Sequence, residues 1–117
     1  MATTSNRTIS VAFSGDLVSS LAFAAAANAA SPGSVTIHTL SAGANTITLP
    51  TGGSTVRGAT IIPPSGNTQT LTLKGVTGDT GVPLHKTDPC SISFESGSTT
   101  FCLTAGGTVT GLRIVWS

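Results

Sequence analysis

SAGANTITL, residues 41–49, is the stretch on which the reading of this chain turns. Four small residues, Ser41-Ala42-Gly43-Ala44, supply a turn. Asn45 to Leu49 then alternates polar and apolar side chains with period two, which sends Ile47 and Leu49 to one face of a strand. The same cadence returns as SGNTQTLTL at residues 65–73 and as SGSTTFCLT at residues 96–104. The three copies are unevenly spaced, so they read as separately acquired β-hairpin grammar and not as a true repeat.

Working outward, the same alternation is found in RTISVAF (7–13), SVTIHTL (34–40), QTLTLK (69–74), SISFE (91–95), TFCLT (100–104) and GLRIVWS (111–117), and TVRGATII (55–62) reads as a further strand ended by Pro63-Pro64. In SVTIHTL the pattern places Val35 and Ile37 toward a core and His38 on the exposed Thr face. Turns fall at Ser14-Gly15-Asp16, Pro50 to Ser54, Ser65-Gly66-Asn67, Ser96-Gly97-Ser98 and Ala105-Gly106-Gly107. LVSSLAFAAAANAA (17–30) is rich in Ala, a helix former, with Asp16 placed as an N-cap. Its Leu21/Phe23 alternation and the following Ser-Pro-Gly favour an extended segment instead. The expectation is an all-β chain: a single antiparallel β-sandwich or jelly-roll-like domain of eight or nine short strands over residues 7–117. A polar arm, MATTSN (1–6), precedes it and is either flexible or ordered by a partner.

Composition bounds function. The chain has 117 residues, enough for one modest core, and only 8% of them are charged, with net charge +1. Thr and Ser make up nearly a third. Arg7, Arg57, Lys74, Lys86 and Arg113 are scattered, so no basic stripe for nucleic acid is formed. Residues 17–30 are too short and too interrupted to span a bilayer, and no basic region opens the chain as a signal peptide would. Synthesis in the cytosol without cleavage is expected. So few charges give an isolated chain little protection against self-association, which favours life inside an assembly.

KGVTGDTGVPLHKTDPCSI, residues 74–92, reads as neither a regular strand nor a simple turn and gathers Asp79, His85, Lys86, Asp88 and Cys90. Asp79-Thr80-Gly81 has the letters of an aspartic-protease motif, but it follows Gly-Val-Thr-Gly late in the chain and not an apolar strand early in it. A turn in which Asp79 bonds local backbone is the expected role. His38 and His85 have no metal-ligand spacing. No Ser lies in a nucleophile elbow, and no Gly-rich loop is followed by the Lys of a phosphate loop. A disulfide between Cys90 and Cys102 across a hairpin would put Phe101 and Leu103 opposite in face to Ile92 and Phe94. With a cytosolic origin, two free thiols are expected. Neither an enzyme nor a cofactor or metal site is expected. Asp79, His85, Lys86 and Asp88 stand as candidate subunit contacts on a long loop, residues 75–89.

LKGVTGDTGVPLHKTDP (73–89) and TAGGTVTGLRIVWS (104–117), with SAGANTITLPTG and IIPPSGNTQTLTLKG between strands of the same style, resemble small β-rich virion structural proteins of tailed bacteriophages. The resemblance implies a non-enzymatic protein present in many copies: a capsid decoration (cement) protein docking through loops and the N-terminal arm. The alternatives are a tail or baseplate accessory protein, or a carbohydrate-binding module at the tail tip. Implied partners are major capsid or tail proteins and further copies of the chain, with a glycan in the last alternative and neither nucleic acid nor membrane. The implied location is the virion, assembled in the host cytoplasm.

Overall fold

A computed structural model describes residues 8–13, 19–24, 34–50, 56, 58–75, 78–95 and 98–117, with backbone only for 8–13, 19–24 and 34. The arm 1–6, the turn 14–16, the Ser-Pro-Gly at 31–33, loop residues 51–54 and both ends of 17–30 lie outside them. Ten strands are described: β1 (Thr8–Phe13), β2 (Ser19–Ala24), β3 (Ser34–Leu40), β4 (Gly43–Thr48), β5 (Gly58–Ile62), β6 (Leu71–Lys74), β7 (Val82–Leu84), β8 (Cys90–Ser93), β9 (Thr100–Ala105) and β10 (Val109–Trp116). The centre of the Ala-rich segment is extended, as its Leu/Phe alternation predicts.

β1 and β2 pair with each other. The other eight strands form two four-stranded antiparallel sheets, ordered β3-β10-β5-β8 and β4-β9-β6-β7. The order has a simple logic. β3 pairs with β10, β4 with β9, β5 with β8 and β6 with β7, so the chain from residue 34 is one ribbon doubled back on itself at the β6–β7 hairpin. The ribbon is wound so that β10 also meets β5 and β9 also meets β6.

Both sheets give one face to a shared core. Leu40, Ala59, Ile61, Val109, Leu112, Ile114 and Trp116 come from the first sheet; Ile47, Leu71, Phe101, Leu103 and Ala105 come from the second. Phe101 and Trp116 bridge the sheets with ring centroids 6.2 Å apart, and Phe94 stacks on Phe101 at 5.6 Å. Fully burying each such side chain stabilises the fold by roughly 1.5–3 kcal/mol, which is why period-two alternation dominates the sequence.

Three local devices hold the register. Between Thr110 and Leu112 the β10–β3 pairing shifts by one residue, and Gly111 there has φ +83°. A bulge with a left-handed glycine returns Val109 and Leu40 to the core; without it they would lie on opposite faces. At the β3–β4 corner the Asn45 side chain accepts from Ser41 N at 2.9 Å and donates to the carbonyls of Ser41, Gly43 and Leu103 at 2.9–3.1 Å. At the chain end, Gly58 and Ser117 exchange two backbone hydrogen bonds of 2.9 Å, extending the β5–β10 ladder.

The connections correct one expectation. SAGANTITL, SGNTQTLTL and SGSTTFCLT are not hairpins: each carries the chain from one sheet to the other, β3 to β4, β5 to β6 and β8 to β9. Turn chemistry requires a change of direction and says nothing about whether the next strand pairs beside the last or packs across from it. The two cysteines are free, as expected, and they lie in different sheets.

Candidate functional site

Residues 74–92 do not form one long loop. β7 divides them, folding back on β6 with Thr72 opposite Pro83. Pro83 hides this strand from a sequence reading, because Pro cannot donate to a ladder. At the outer edge of a sheet one row of donors needs no partner, and Pro is tolerated there. Asp79 lies in the β6–β7 connection, with its Oδ2 so close over Gly75 that an added Cβ would meet it at 3.2 Å. His85, Lys86 and Asp88 follow the other end of β7. The four candidate contacts therefore do not converge: Asp79 belongs to one end of the edge strand and the remaining three to the other.

His85 organises its own turn. The backbone N–H groups of Thr87 and Asp88 donate to its Nδ1 at 3.2 and 2.9 Å. Asp88 Oδ1 is 3.6 Å from the same nitrogen, an ion pair only when the imidazole is charged. Nδ1 thus serves as the acceptor that caps this turn. Both side chains are largely exposed, 64% and 75%, where even a formed pair contributes little. Asn67 Nδ2 donates to Lys86 O at 2.8 Å and to Gln69 O at 3.1 Å, tying this loop to the β5–β6 corner. Next to it an open cleft of about 290 Å³ is lined by Pro64, Asn67, Thr68, Gln69, Thr108 and Thr110 among others. Among the described residues no three His, Cys, Asp or Glu side chains cluster as metal ligands, and no helix is long and apolar enough to cross a membrane.

The more unusual surface is elsewhere. On β3 the expected faces are exchanged: Val35 and Ile37 are 57% and 72% exposed, whereas Thr36 and His38 are half-buried. The reason is Trp116. Its indole Nε1 donates to Thr36 Oγ1 at 2.8 Å, and Thr36 Oγ1 is 2.7 Å from His38 Nε2. A buried indole needs an acceptor, and the polar face of β3 supplies it. Burial lowers the His38 pKa below its usual 6.5 by disfavouring the charged ring.

A test follows from the sign of that shift. As pH falls below 6.5, the unfolded chain takes up the His38 proton before the folded one, so stability falls with decreasing pH in that window and is restored above it. An NMR titration should give a His38 midpoint below 6.5, and His38→Gln should flatten the dependence. A midpoint at or above 6.5 would contradict the buried placement.

With Trp116, Ile114 and Leu112 facing inward, the outer face of the same sheet carries two cross-strand rows. One is Val35, Val115 and Thr60; the other is Ile37, Arg113 and Ile62. Val115 and Ile62 are half-buried and Arg113 is exposed. This face was not found from sequence, since hydrophobicity in SVTIHTL sends Val35 and Ile37 inward. The one signal was the single Trp, whose indole demands a polar neighbour. A scan against protein-family models and searches of curated proteins and of solved structures found no match.

Proposed function

We propose that the chain is a non-enzymatic structural protein of a tailed-phage virion, a capsid decoration protein in which a jelly-roll sandwich presents contact surfaces to neighbouring subunits. The observation that carries this reading is the outer face of β3, where Val35 and Ile37 stand 57% and 72% exposed on a chain with only 8% charged residues. Two neighbouring large apolar side chains turned outward on one strand suit a contact surface. The doubled ribbon, ordered β3-β10-β5-β8 and β4-β9-β6-β7, supports the jelly-roll assignment, an architecture that viral capsid domains use alongside lectins and other proteins. His85 as a turn cap, and Asp79 at the far end of β7, suit loop rigidity better than proton transfer, which needs groups within hydrogen-bond reach of one another.

The test is location. Immunogold labelling of phage particles that carry the chain should decorate the shell in many copies, and purified protein should bind expanded capsids and raise their melting temperature. Labelling confined to tail ends would replace the decoration role with the tail-accessory one. If the label sits at the tail tip and the protein binds on a glycan array, the polar cleft beside Asn67 becomes the site of interest.

A further inference from the structure

The chain contains two apolar surfaces that its own described strands do not join. The first is the β3 face just described. β3 lies at the end of its sheet and pairs with β10 on one side only, and Val35 and Ile37 remain largely exposed with the whole chain in place. The second is the β1–β2 hairpin, which forms a sheet of its own. Its register sets Ile9 opposite Phe23, Val11 opposite Leu21 and Phe13 opposite Ser19. Directly opposed residues of an antiparallel pair share a face, so Ile9, Val11, Phe13, Ser19, Leu21 and Phe23 occupy one side. Thr8, Ser10, Ala12, Ser20, Ala22 and Ala24 occupy the other. The first side is apolar except for Ser19, and the second holds only Thr, Ser and Ala.

A two-stranded hairpin is at best marginally stable unless its apolar side is covered. The open surface that carries exposed apolar residues is the β3–β10 outer face, where Val35, Ile37 and Val115 stand beside Arg113, and two sheets packed face to face sit about 10 Å apart. The chain's own hairpin leaves Val35 and Ile37 exposed. We infer that the β1–β2 hairpin of one copy docks on the Val35, Ile37 and Val115 face of a second copy. The linker permits it: residues 25–33, AAANAASPG, reach at most about 30 Å when extended. The donor and acceptor surfaces are different parts of the chain, so the contact is heterologous; the proposed assembly is its closed form, a reciprocal dimer or a ring whose rotation returns to the first copy. This inference concerns contacts between copies and stands whether or not the virion reading does.

Complementation tests it on the full-length chain. Native mass spectrometry and light scattering should give the wild type as a discrete multiple of 11.5 kDa. Val11→Glu, which spoils the donor, and Ile37→Glu, which spoils the acceptor at an exposed position, should each run as a monomer with unchanged circular dichroism. An equimolar mixture of the two should recover a dimer, because one intact donor then meets one intact acceptor. A monomeric wild type overturns the inference. So does assembly lost in Ile37→Glu but kept in Val11→Glu, which would mean that β3 pairs with its own counterpart. Should Val11→Glu unfold, Leu21→Ser replaces it as the donor variant, and failure of that mixture to recover a dimer is equally decisive.

Discussion

Trp116→Ala should destabilise the protein by about 3–5 kcal/mol, a large share of the roughly 5–15 kcal/mol that holds a domain of this size together. Trp116 is 1% exposed, meets Phe101 across the two sheets at 6.2 Å, and donates its indole N–H to Thr36. Truncation leaves a cavity where the sheets are joined by aromatic contact and removes the donor to Thr36 beside His38. Trp116→Phe separates these effects. It keeps most of the buried volume and loses the hydrogen bond, so about 1 kcal/mol of extra loss is expected from that source. The chain has a single Trp, so urea unfolding should be followed by circular dichroism and not by fluorescence. A Trp116→Ala variant within 1 kcal/mol of wild type would mean that this contact does not hold the sheets.

Gly81→Ala should cost about 2–5 kcal/mol, although it adds one methyl group at the start of an edge strand. Gly81 has φ +79°, where an L-residue pays roughly 1–2 kcal/mol. Its Cβ would also fall 2.7 Å from the Leu73 carbonyl oxygen and 2.6–2.7 Å from side-chain carbons of Lys74 and Thr72. The flexible Lys74 can move aside; a backbone carbonyl inside a ladder cannot, so overpacking adds roughly 1–3 kcal/mol. Gly66→Ala is the control, since a Cβ there meets nothing within 4 Å, and it should stay within about 0.5 kcal/mol of wild type. Thermal unfolding of the pair measures the difference. Equal melting temperatures would mean that the β6–β7 hairpin does not need its left-handed residue.

Gly81 also illustrates how far the candidate site was legible. The letters Gly-Asp-Thr-Gly announce a turn, and the chain does turn there, between β6 and β7. The three-residue β7 was hidden by Pro83, and with it the fact that Asp79 and the His85, Lys86, Asp88 group lie at opposite ends of a strand. His85 could be suspected of a structural role from the lack of ligand spacing. That its Nδ1 caps the turn by accepting two backbone N–H groups depends on a loop conformation that no local pattern encodes.

The strands themselves were largely written in the chain. Alternation at 45–49, 69–74, 100–104 and 111–117 sends Ile47, Leu71, Leu103, Leu112, Ile114 and Trp116 to the core, because period two is imposed by the pleat and a buried face tolerates no slip. Small-residue turns marked where strands end. Tertiary structure decided which strands pair, and it turned three apparent hairpins into crossings between sheets, since a turn's residues respond to local φ and ψ and not to what lies beyond. It also decided the phase of β3. SVTIHTL offers Val35 and Ile37 or Thr36 and His38 to the interior, and local hydrophobicity alone favours the first. The indole of Trp116, eighty residues away in sequence, needs a hydroxyl, and meeting that need leaves two large apolar side chains facing outward.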